Sequence, residues 1–250
     1  MKNGGGCTLE SYLELLRCCG GYYDCPVDEG GKRLGPLVGY AGRDERGRQF
    51  VGNTYANFAK IERSGRVLSR VAVDLRYSMI EKFGRENISG FCGAPEGGKS
   101  LATRMAAFEA LDFCCIYPEK KLIHEASTDS REVTRLIFDR HEPLKGENLV
   151  IVEDVCNNFS TTNDLIKLVH TFGAKVVGIA CFLNRSLTVE DFYRYGDESS
   201  IPVVALVRKP IFEWRQDDPA VADDIAKGNF VSEPKHQWER LMQAMNKAKV

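Results

Sequence analysis

The segment Leu149–Thr162 has the sequence LVIVEDVCNNFSTT, and it decides the fold class. Its first four residues are aliphatic, which is typical of a strand buried on both faces of a parallel sheet. The strand ends in two acids, Glu153 and Asp154, and a short polar loop follows them. Open α/β sheets bind their ligands at the carboxyl ends of the strands. The segment therefore predicts a strand, a loop and a helix, with two carboxylates at the edge where ligands bind.

The loop and the helix after this strand have the features of an anion site. Residues 157–161 would present backbone N–H groups and hydroxyls at the N-terminus of a helix over Thr161–Phe172, where the partial positive charge favours an anion. Carboxylates suited to ribose hydroxyls or to Mg²⁺ would then lie beside a phosphate, an arrangement that suits a phosphorylated sugar. An ordinary strand, turn and helix with solvated acids and a Ser/Thr cap fits the same pattern.

Apolar periodicity extends this arrangement along the chain. A three- and four-residue repeat predicts a helix over Arg66–Phe83, and strands and helices alternate after it. Alternation of this kind predicts an α/β fold, a mostly parallel sheet with helices on both faces. The predicted elements are strand Ile88–Cys92, helix Ser100–Leu111, strands Phe113–Tyr117 and Leu149–Glu153, helix Thr161–Phe172, and strands Lys175–Leu183 and Val203–Val207. Pro118–Asn148 is a long polar excursion, and connections of this length in compact domains are usually functional or mobile.

Composition excludes several classes of protein. The formal net charge of −1 argues against general nucleic-acid binding, which needs a basic excess. No run of eighteen apolar residues is present, and the first six residues do not lead into an apolar signal core, so we expect a cytoplasmic protein with no membrane partner. The nine cysteines form an odd number, and several lie in apolar strands, as reduced cysteines do.

A second phosphate-binding pattern competes with the first. Gly93–Ser100 has the sequence GAPEGGKS, which matches the P-loop pattern G-x-x-x-x-G-K-S, and it lies between a predicted strand and a predicted helix. In this alternative the chain is a P-loop ATPase or kinase, and the strand that ends at Glu153 and Asp154 is its second nucleotide-binding element. Such enzymes also need switch or sensor elements that position the attacking group. The sequence offers no clear candidate for one.

From Arg66 to Val207 the chain resembles the type I phosphoribosyltransferases, and among them it is most similar to orotate phosphoribosyltransferase. Four pieces in the same order carry the resemblance: Gly93–Thr103 (GAPEGGKSLAT), Tyr117–His124 (YPEKKLIH), Val150–Thr162 and Gly173–Ser186 (GAKVVGIACFLNRS). They are similar, respectively, to the pyrophosphate loop of the family, to the basic start of its mobile loop, to its phosphoribosyl-diphosphate motif and to a strand that ends in Asp-Arg. Gly35–Gly42 and Phe50–Asn53 are weakly similar to the hood segment that covers the base.

The resemblance implies three regions: residues 1–62 form an N-terminal helix and the hood segment, 63–210 form the phosphoribosyltransferase-like α/β core, and 211–250 form a C-terminal extension packed on the core. It also implies a reaction, in which a 5-phosphoribosyl group moves from phosphoribosyl diphosphate to a pyrimidine-type base such as orotate and pyrophosphate is released. The implied cofactor is Mg²⁺, and the implied assembly is a homodimer.

The resemblance also assigns roles to individual residues. Glu153 and Asp154 would hold the ribose hydroxyls, and Mg²⁺ through ligand or water, with Asp154 stabilising positive charge on the sugar. The basic residues that would close over the pyrophosphate are Lys120, Lys121 and His124. The 5′-phosphate would lie against Asn157, Asn158, Ser160 and Thr161, and the pyrophosphate against Ala94, Glu96, Gly97 and Gly98. Arg185 would meet the carboxylate of the base, a task that suits a guanidinium fork.

Three residues depart from the family pattern. Phe159 stands where the family has a glycine, Asn184 replaces the aspartate of Asp-Arg, and Tyr40 falls near a lysine of the hood. The ring of Phe159 either blocks the phosphate pocket or turns away while the two asparagines before it rebuild the loop at positive φ. We expect the second arrangement, with an anion on the amides of Asn158 to Thr161. A non-catalytic regulator that binds phosphoribosyl compounds or nucleotides in a degenerate site is the further alternative.

Overall fold

A computed structural model of the chain describes residues 9–107, 112–124, 133–196 and 199–248. Its helices, in chain order, are α1 (Leu9–Cys18), α2 (Ala59–Glu62), α3 (Gly65–Phe83), α4 (Gly97–Ala106), α5 (Ser160–Thr171), α6 (Ala222–Ala226) and α7 (Trp238–Lys247). Its strands are β1 (Tyr22–Asp24), β2 (Leu37–Arg43), β3 (Gln49–Gly52), β4 (Thr54–Ala56), β5 (Gly90–Gly93), β6 (Cys114–Ile116), β7 (Glu119–His124), β8 (Val133–Ile137), β9 (Asn148–Cys156), β10 (Lys175–Asn184), β11 (Phe192–Tyr195), β12 (Ser199–Arg208) and β13 (Phe230–Val231).

The chain divides into two compact units, one of Ile61–Lys209 and one formed by the residues before and after it. The first contains a six-stranded sheet with the order β11-β12-β10-β9-β5-β6. Neighbouring strands are parallel from β12 to β6, and β11 pairs with β12 in the antiparallel direction. The predicted fold class, a mostly parallel sheet in an α/β protein, is confirmed.

Helices cover both faces of this sheet. Leu165, Ile166 and Val169 of α5 pack in one cluster with Ile151 and Ile179 of the central strands. On the other face Gly178 lies directly against the ring of Phe83 in α3, because successive residues of a strand point to opposite faces. Helix α3 begins at the cap Ser64, whose hydroxyl accepts a hydrogen bond from the Val67 amide at 3.4 Å, and it ends before Gly84, which has φ of 79°. The α/β layers therefore bury the central strands on both sides, as the aliphatic runs predicted.

The other unit joins the two ends of the chain. It contains a three-stranded sheet of order β13-β2-β3 and a two-stranded sheet of β1 and β4. Trp238 and Leu241 of α7 pack in one cluster with Tyr23, Val38 and Tyr40. The buried residues of α7 thus belong to the core of this unit. The packing of residues 211–250 on the α/β core stays a prediction.

Within the described residues, no helix combines the length and the apolar character that crossing a membrane requires.

Candidate functional site

The order of the strands places a crevice between β5 and β9. From β5 the chain passes through α4 to β6 at one edge of the sheet, whereas β9 and the strands that follow it lie on the other side of β5. Ligands of open α/β sheets bind at such a reversal, outside the carboxyl ends of the strands. The loop after Gly93 and the pair Glu153 and Asp154 both emerge at this point. The sheet therefore brings together two of the four pieces that carried the family resemblance.

The backbone of the loop after β5 lies directly against the acids of β9. The Ala94 amide donates to the Val152 carbonyl at 2.8 Å. A Cβ atom on Gly97 would collide with the carboxylate of Asp154, and one on Gly98 would collide with the Val152 carbonyl. Only glycine permits this approach at both positions. Helix α4 begins at Gly97, so its positive N-terminal end lies beside Asp154, while Glu96 precedes it as an exposed residue.

The two acids differ in their surroundings. Asp154 Oδ1 accepts a hydrogen bond from the Val155 amide at 2.8 Å. Glu153 is partly exposed as a residue, but its Oε2 atom is buried and has no hydrogen-bond partner in the described part of the chain. Burial raises the pKa of Glu153 well above its ordinary value, the carboxylate of Asp154 raises it further, and the charge of Lys120 lowers it. Glu153 therefore keeps its proton to a higher pH than a freely exposed glutamic acid does.

Phe159 adopts the left-handed backbone conformation, with φ of 58° and ψ of 20°, at the N-cap of α5. Its side chain is 3% exposed, and its ring stacks on Tyr193 of β11 with centroids 5.2 Å apart and planes 14° apart. The expectation that this ring turns away from the helix start agrees with the structure. The expected means was wrong, because Phe159 itself has the positive φ and neither Asn157 nor Asn158 does. The backbone at Phe159 thus has the left-handed conformation that glycine adopts most readily, and the phenyl ring is buried in the core.

One amide of the predicted anion site is already engaged. Asn158 Oδ1 accepts a hydrogen bond from the Ser160 amide at 3.1 Å, so an anion at the start of α5 would compete with the Asn158 side chain for this donor. Ser160 and Asn158 are exposed, and Asn157 and Thr161 are half-buried. The expectation that the amides from Asn158 to Thr161 are all open to an anion is therefore wrong for Ser160. An ion would have to displace the Asn158 side chain or bind the remaining donors.

The second phosphate pattern lacks the side-chain geometry of a nucleotide P-loop. In that motif the lysine reaches the β- and γ-phosphates and the following hydroxyl binds Mg²⁺. Here the ammonium of Lys99 lies over the ring of Tyr117, 3.9 Å from its centroid. The hydroxyl of Ser100 donates to the carboxylate of Glu62 and also contacts the Gly97 carbonyl at 3.1 Å. Because both side chains are directed to other partners, the structure disfavours the ATPase or kinase alternative.

The basic residues of the polar excursion lie on a hairpin of β7 and β8. Lys120 is exposed and acts electrostatically on Glu153. Lys121 pairs with Asp139 at 3.2 Å. His124 ends β7, and its side chain lies outside the described part of the chain, as do residues 125–132. The charge of Lys120 thus acts on the acids, whereas Lys121 has a partner within the hairpin region.

Arg185 and Asn184 lie at the carboxyl end of β10. Arg185 is 7% exposed, and its amide donates to the Cys156 carbonyl at 2.9 Å, which joins the ends of β10 and β9. Asn184 is fully buried. Its amide nitrogen donates to the carbonyls of Val189 at 3.0 Å and Glu190 at 3.3 Å, and its oxygen accepts from the Ser186 amide at 3.0 Å. Asn184 therefore shapes the loop that follows Arg185.

Tyr40, near a lysine position of the hood, belongs to the core of its own unit. It is 5% exposed, and its hydroxyl donates to the Thr54 carbonyl at 2.6 Å. This side chain supports the β-sheet of that unit and is not directed to a ligand.

Three residues contact the two predicted phosphate loops in ways that the sequence did not predict. They are Tyr193 against Phe159, Tyr117 against Lys99 and Glu62 against Ser100. Their partners lie far away in the sequence, so no local pattern pointed to them. The alternation in Phe192–Tyr195 (FYRY) could have predicted β11, the strand that carries Tyr193.

The carboxylates of this site could bind Mg²⁺ only together with oxygen atoms from a bound ligand and water. No group of three or more His, Cys, Asp or Glu side chains able to hold a metal occurs in the described ranges. Mg²⁺ is commonly bound by one or two carboxylates together with substrate phosphates and waters. Glu153 and Asp154, both partly exposed as residues, carry the carboxylates that could supply that share of the ligands.

No protein-family model matches the chain. A curated relative, the transcriptional regulator GfcR of Methanocella arvoryzae, is 26% identical over 172 residues, which cover 66% of this chain and 77% of the relative. Three solved structures are similar at low identity. Orotate phosphoribosyltransferase from Aeropyrum pernix is 16% identical with a TM-score of 0.47, over 78% of this chain and 92% of that one.

The second, UMP synthase from Leishmania donovani, is 14% identical with a TM-score of 0.49, over 97% of this chain and 43% of that one. The third, adenine phosphoribosyltransferase from Saccharomyces cerevisiae, is 15% identical with a TM-score of 0.48, over 79% of this chain and 99% of that one. The names of these structures include both an orotate enzyme and an adenine enzyme. They therefore do not distinguish the expected preference for orotate from a preference for adenine.

Proposed function

We propose that the chain binds phosphoribosyl diphosphate between β5 and β9 and transfers its phosphoribosyl group to a nitrogenous base. One observation carries the proposal: the pair Glu153 and Asp154 is flanked by two helix N-termini, that of α4 at Gly97 and that of α5 at Ser160. Phosphoribosyl diphosphate is a sugar with an anion at each end. The flanked acids match this distribution of charge and hydroxyls.

Each part of the site has a task in this reaction. The bond from the anomeric carbon to the diphosphate oxygen breaks, a bond to a nitrogen of the base forms, and the proton of that nitrogen is released. Asp154 stabilises the positive charge that develops on the sugar, and the carboxylate of Glu153 accepts a hydrogen bond from a ribose hydroxyl. The backbone from Ala94 to Gly98 lies along the diphosphate, and Lys120 adds positive charge to it. When bound, Mg²⁺ would screen the charge of the leaving group.

We further propose that the base is of the pyrimidine type, such as orotate, with Arg185 directed to its carboxylate. The position of Arg185 beside the ends of β9 and β10 supports this role. The proposed assembly is a homodimer.

A second candidate is a regulator that binds the same compound without turning it over. Two observations favour it: the curated relative is named a transcriptional regulator, and the Ser160 amide is engaged by Asn158. The two candidates share the binding site and differ in catalysis, so one experiment separates them.

The test combines calorimetric titration of phosphoribosyl diphosphate, with and without Mg²⁺, and an assay of diphosphate release with orotate, uracil and adenine as acceptors. Asp154→Asn keeps the shape and removes the charge. We expect turnover to fall by about a hundredfold or more, with a much smaller loss of affinity, because the charge matters most in the transition state. The matched control is Asp112→Asn, at an exposed aspartate outside the site, and it should behave like the parent.

Equal turnover in Asp154→Asn and the parent would contradict the catalytic role. Tight binding in the parent without release of diphosphate from any acceptor would favour the regulator. Absence of binding in the parent would refute both candidates.

A further inference from the structure

A cavity of about 330 Å³ lies between the β7–β8 hairpin and α5. Its walls are Lys120, Arg135, Leu136, Thr161, Asp164, Lys167, Leu168 and Thr171. The α5 members recur at three- and four-residue steps, so they share one face of the helix. Among the described residues, neither Glu153, Asp154 nor the loop from Ala94 to Gly98 forms part of the walls. The cavity extends along α5 from Thr161, away from the acids.

The charges of this cavity are unbalanced. Lys120, Arg135 and Lys167 contribute three positive charges and Asp164 contributes one negative charge. None of these four side chains forms an ion pair with another described residue. By contrast, Lys121 on the same hairpin pairs with Asp139. Like charges that share a cleft raise its potential and attract anions, so the excess of positive charge points to an anionic occupant.

The other lining residues indicate which chemical groups the ligand carries. Thr161 offers a hydroxyl donor, whereas the hydroxyl of Thr171 already donates to the Leu168 carbonyl at 2.6 Å. Guanidinium and ammonium groups are the usual partners of phosphate oxygens. Leu136 and Leu168 add an apolar wall, which suits a planar ring. Asp164 can accept a hydrogen bond from a sugar hydroxyl. The volume lies at the lower end of the range for small-molecule sites.

We propose that this cavity binds the phosphate group of a small molecule, held by Lys120 and Arg135 of the hairpin and by Lys167 of α5. A phosphate in this position joins the hairpin to the helix, so the ligand fixes the hairpin beside the candidate catalytic site. The cavity shares Lys120 and Thr161 with the proposed transferase site, whereas Arg135 and Lys167 belong to the cavity alone, so the inference does not rest on the proposed transferase activity and is tested at Arg135 and Lys167. Two sources can supply the phosphate, the inorganic ion and a nucleoside monophosphate.

The test titrates the full chain calorimetrically, in phosphate-free buffer, with inorganic phosphate and with uridine monophosphate. Lys167→Gln and Arg135→Gln each remove one charge from the cavity and none from the acid pair. We expect each to weaken binding about tenfold, equivalent to about 1.4 kcal/mol. Lys175→Gln, at an exposed lysine outside the cavity, is the matched control and should bind like the parent.

A tighter interaction with the nucleotide, lost in Leu168→Ala, identifies a nucleotide as the ligand, whereas equal affinities that do not depend on Leu168 identify the phosphate group alone. Parent-like binding in the double variant of Lys167 and Arg135 overturns the proposal. An equal loss in Lys175→Gln also overturns it, because the effect would then be one of overall charge. Titration of phosphoribosyl diphosphate into the same variants separates this result from the transferase: affinity that depends on Asp154 and not on Lys167 belongs to the other site.

Discussion

Replacing Phe159 tests whether burial of its ring compensates for the left-handed backbone conformation of this residue. The side chain is 3% exposed and stacks on Tyr193 at 5.2 Å, so truncation removes a buried ring and leaves a cavity. Phe159→Ala should lower the free energy of unfolding by about 3–5 kcal/mol. Phe159→Gly loses the same ring but relieves the left-handed conformation, which costs a residue with a Cβ atom about 1–2 kcal/mol. Glycine in turn loses more backbone entropy, about 0.5–1 kcal/mol.

These terms give an unusual order of stability. The glycine variant at position 159 should be at least as stable as the alanine variant, by up to about 1.5 kcal/mol after the entropy is subtracted. Urea unfolding followed by fluorescence and circular dichroism measures both variants against the parent. A double-mutant cycle with Tyr193→Ala should give a coupling of about 0.5–1.5 kcal/mol for the stacked pair. Tyr193→Phe keeps the ring and serves as the control.

Two results would refute this reasoning. An alanine variant clearly more stable than the glycine variant would show that position 159 is not held at positive φ. A loss below about 1 kcal/mol in both would show that the ring is not buried. Affinity for phosphoribosyl diphosphate should change little in Phe159→Gly, since the native ring points away from the helix start. An increase of about a hundredfold, or about 2.7 kcal/mol, would show instead that the ring obstructs the site.

Three further predictions concern the acids, the competing loop and the assembly. The pKa of Glu153 is raised in the folded protein above its unfolded value of about 4.3, so the native state keeps the proton to a higher pH and the ligand-free protein should lose stability as the pH rises above that value. The urea midpoints measured from pH 5 to 8 should therefore fall relative to those of Glu153→Gln. Parallel curves for the two proteins would contradict the burial of Glu153. Lys99→Ala should leave the affinity for phosphoribosyl diphosphate within a few-fold, whereas ATP turnover abolished by this substitution would restore the P-loop interpretation. Light scattering at micromolar concentration should show a homodimer, and a monomer would contradict the proposed assembly.

Local pattern predicted the α/β layers because buried parallel strands are marked by aliphatic runs. Leu149–Val152 was recognised in this way, and its strand extends to Cys156. Helix α4 was expected to begin at Ser100 and begins at Gly97. A pair of glycines suggested a loop, but in the fold their missing side chains allow the first turn of the helix to lie against β9. Tertiary contact decided this boundary.

The acids of the candidate site were predictable for the same reason, since a buried strand that ends in two carboxylates places them at the sheet edge. The partners of the neighbouring residues were not predictable. Tyr193 contacts Phe159, and Tyr117 contacts Lys99, only after the sheet has formed. Phe159 was expected to leave the left-handed position to asparagine. Burial of the Phe159 ring against Tyr193 offsets the free-energy cost of its left-handed backbone conformation. The sequence alone did not show which of these two contributions is larger.

The amide of Asn184 makes the end of β10 insensitive to protonation. A carboxyl group could donate to the carbonyl of Val189 or Glu190 only while it carried a proton, and it would lose that hydrogen bond on ionisation, whereas the amide donates to both at any pH. Asn184 also places no negative charge next to Arg185. An anion that approached this guanidinium would therefore meet less repulsion than it would beside an aspartate.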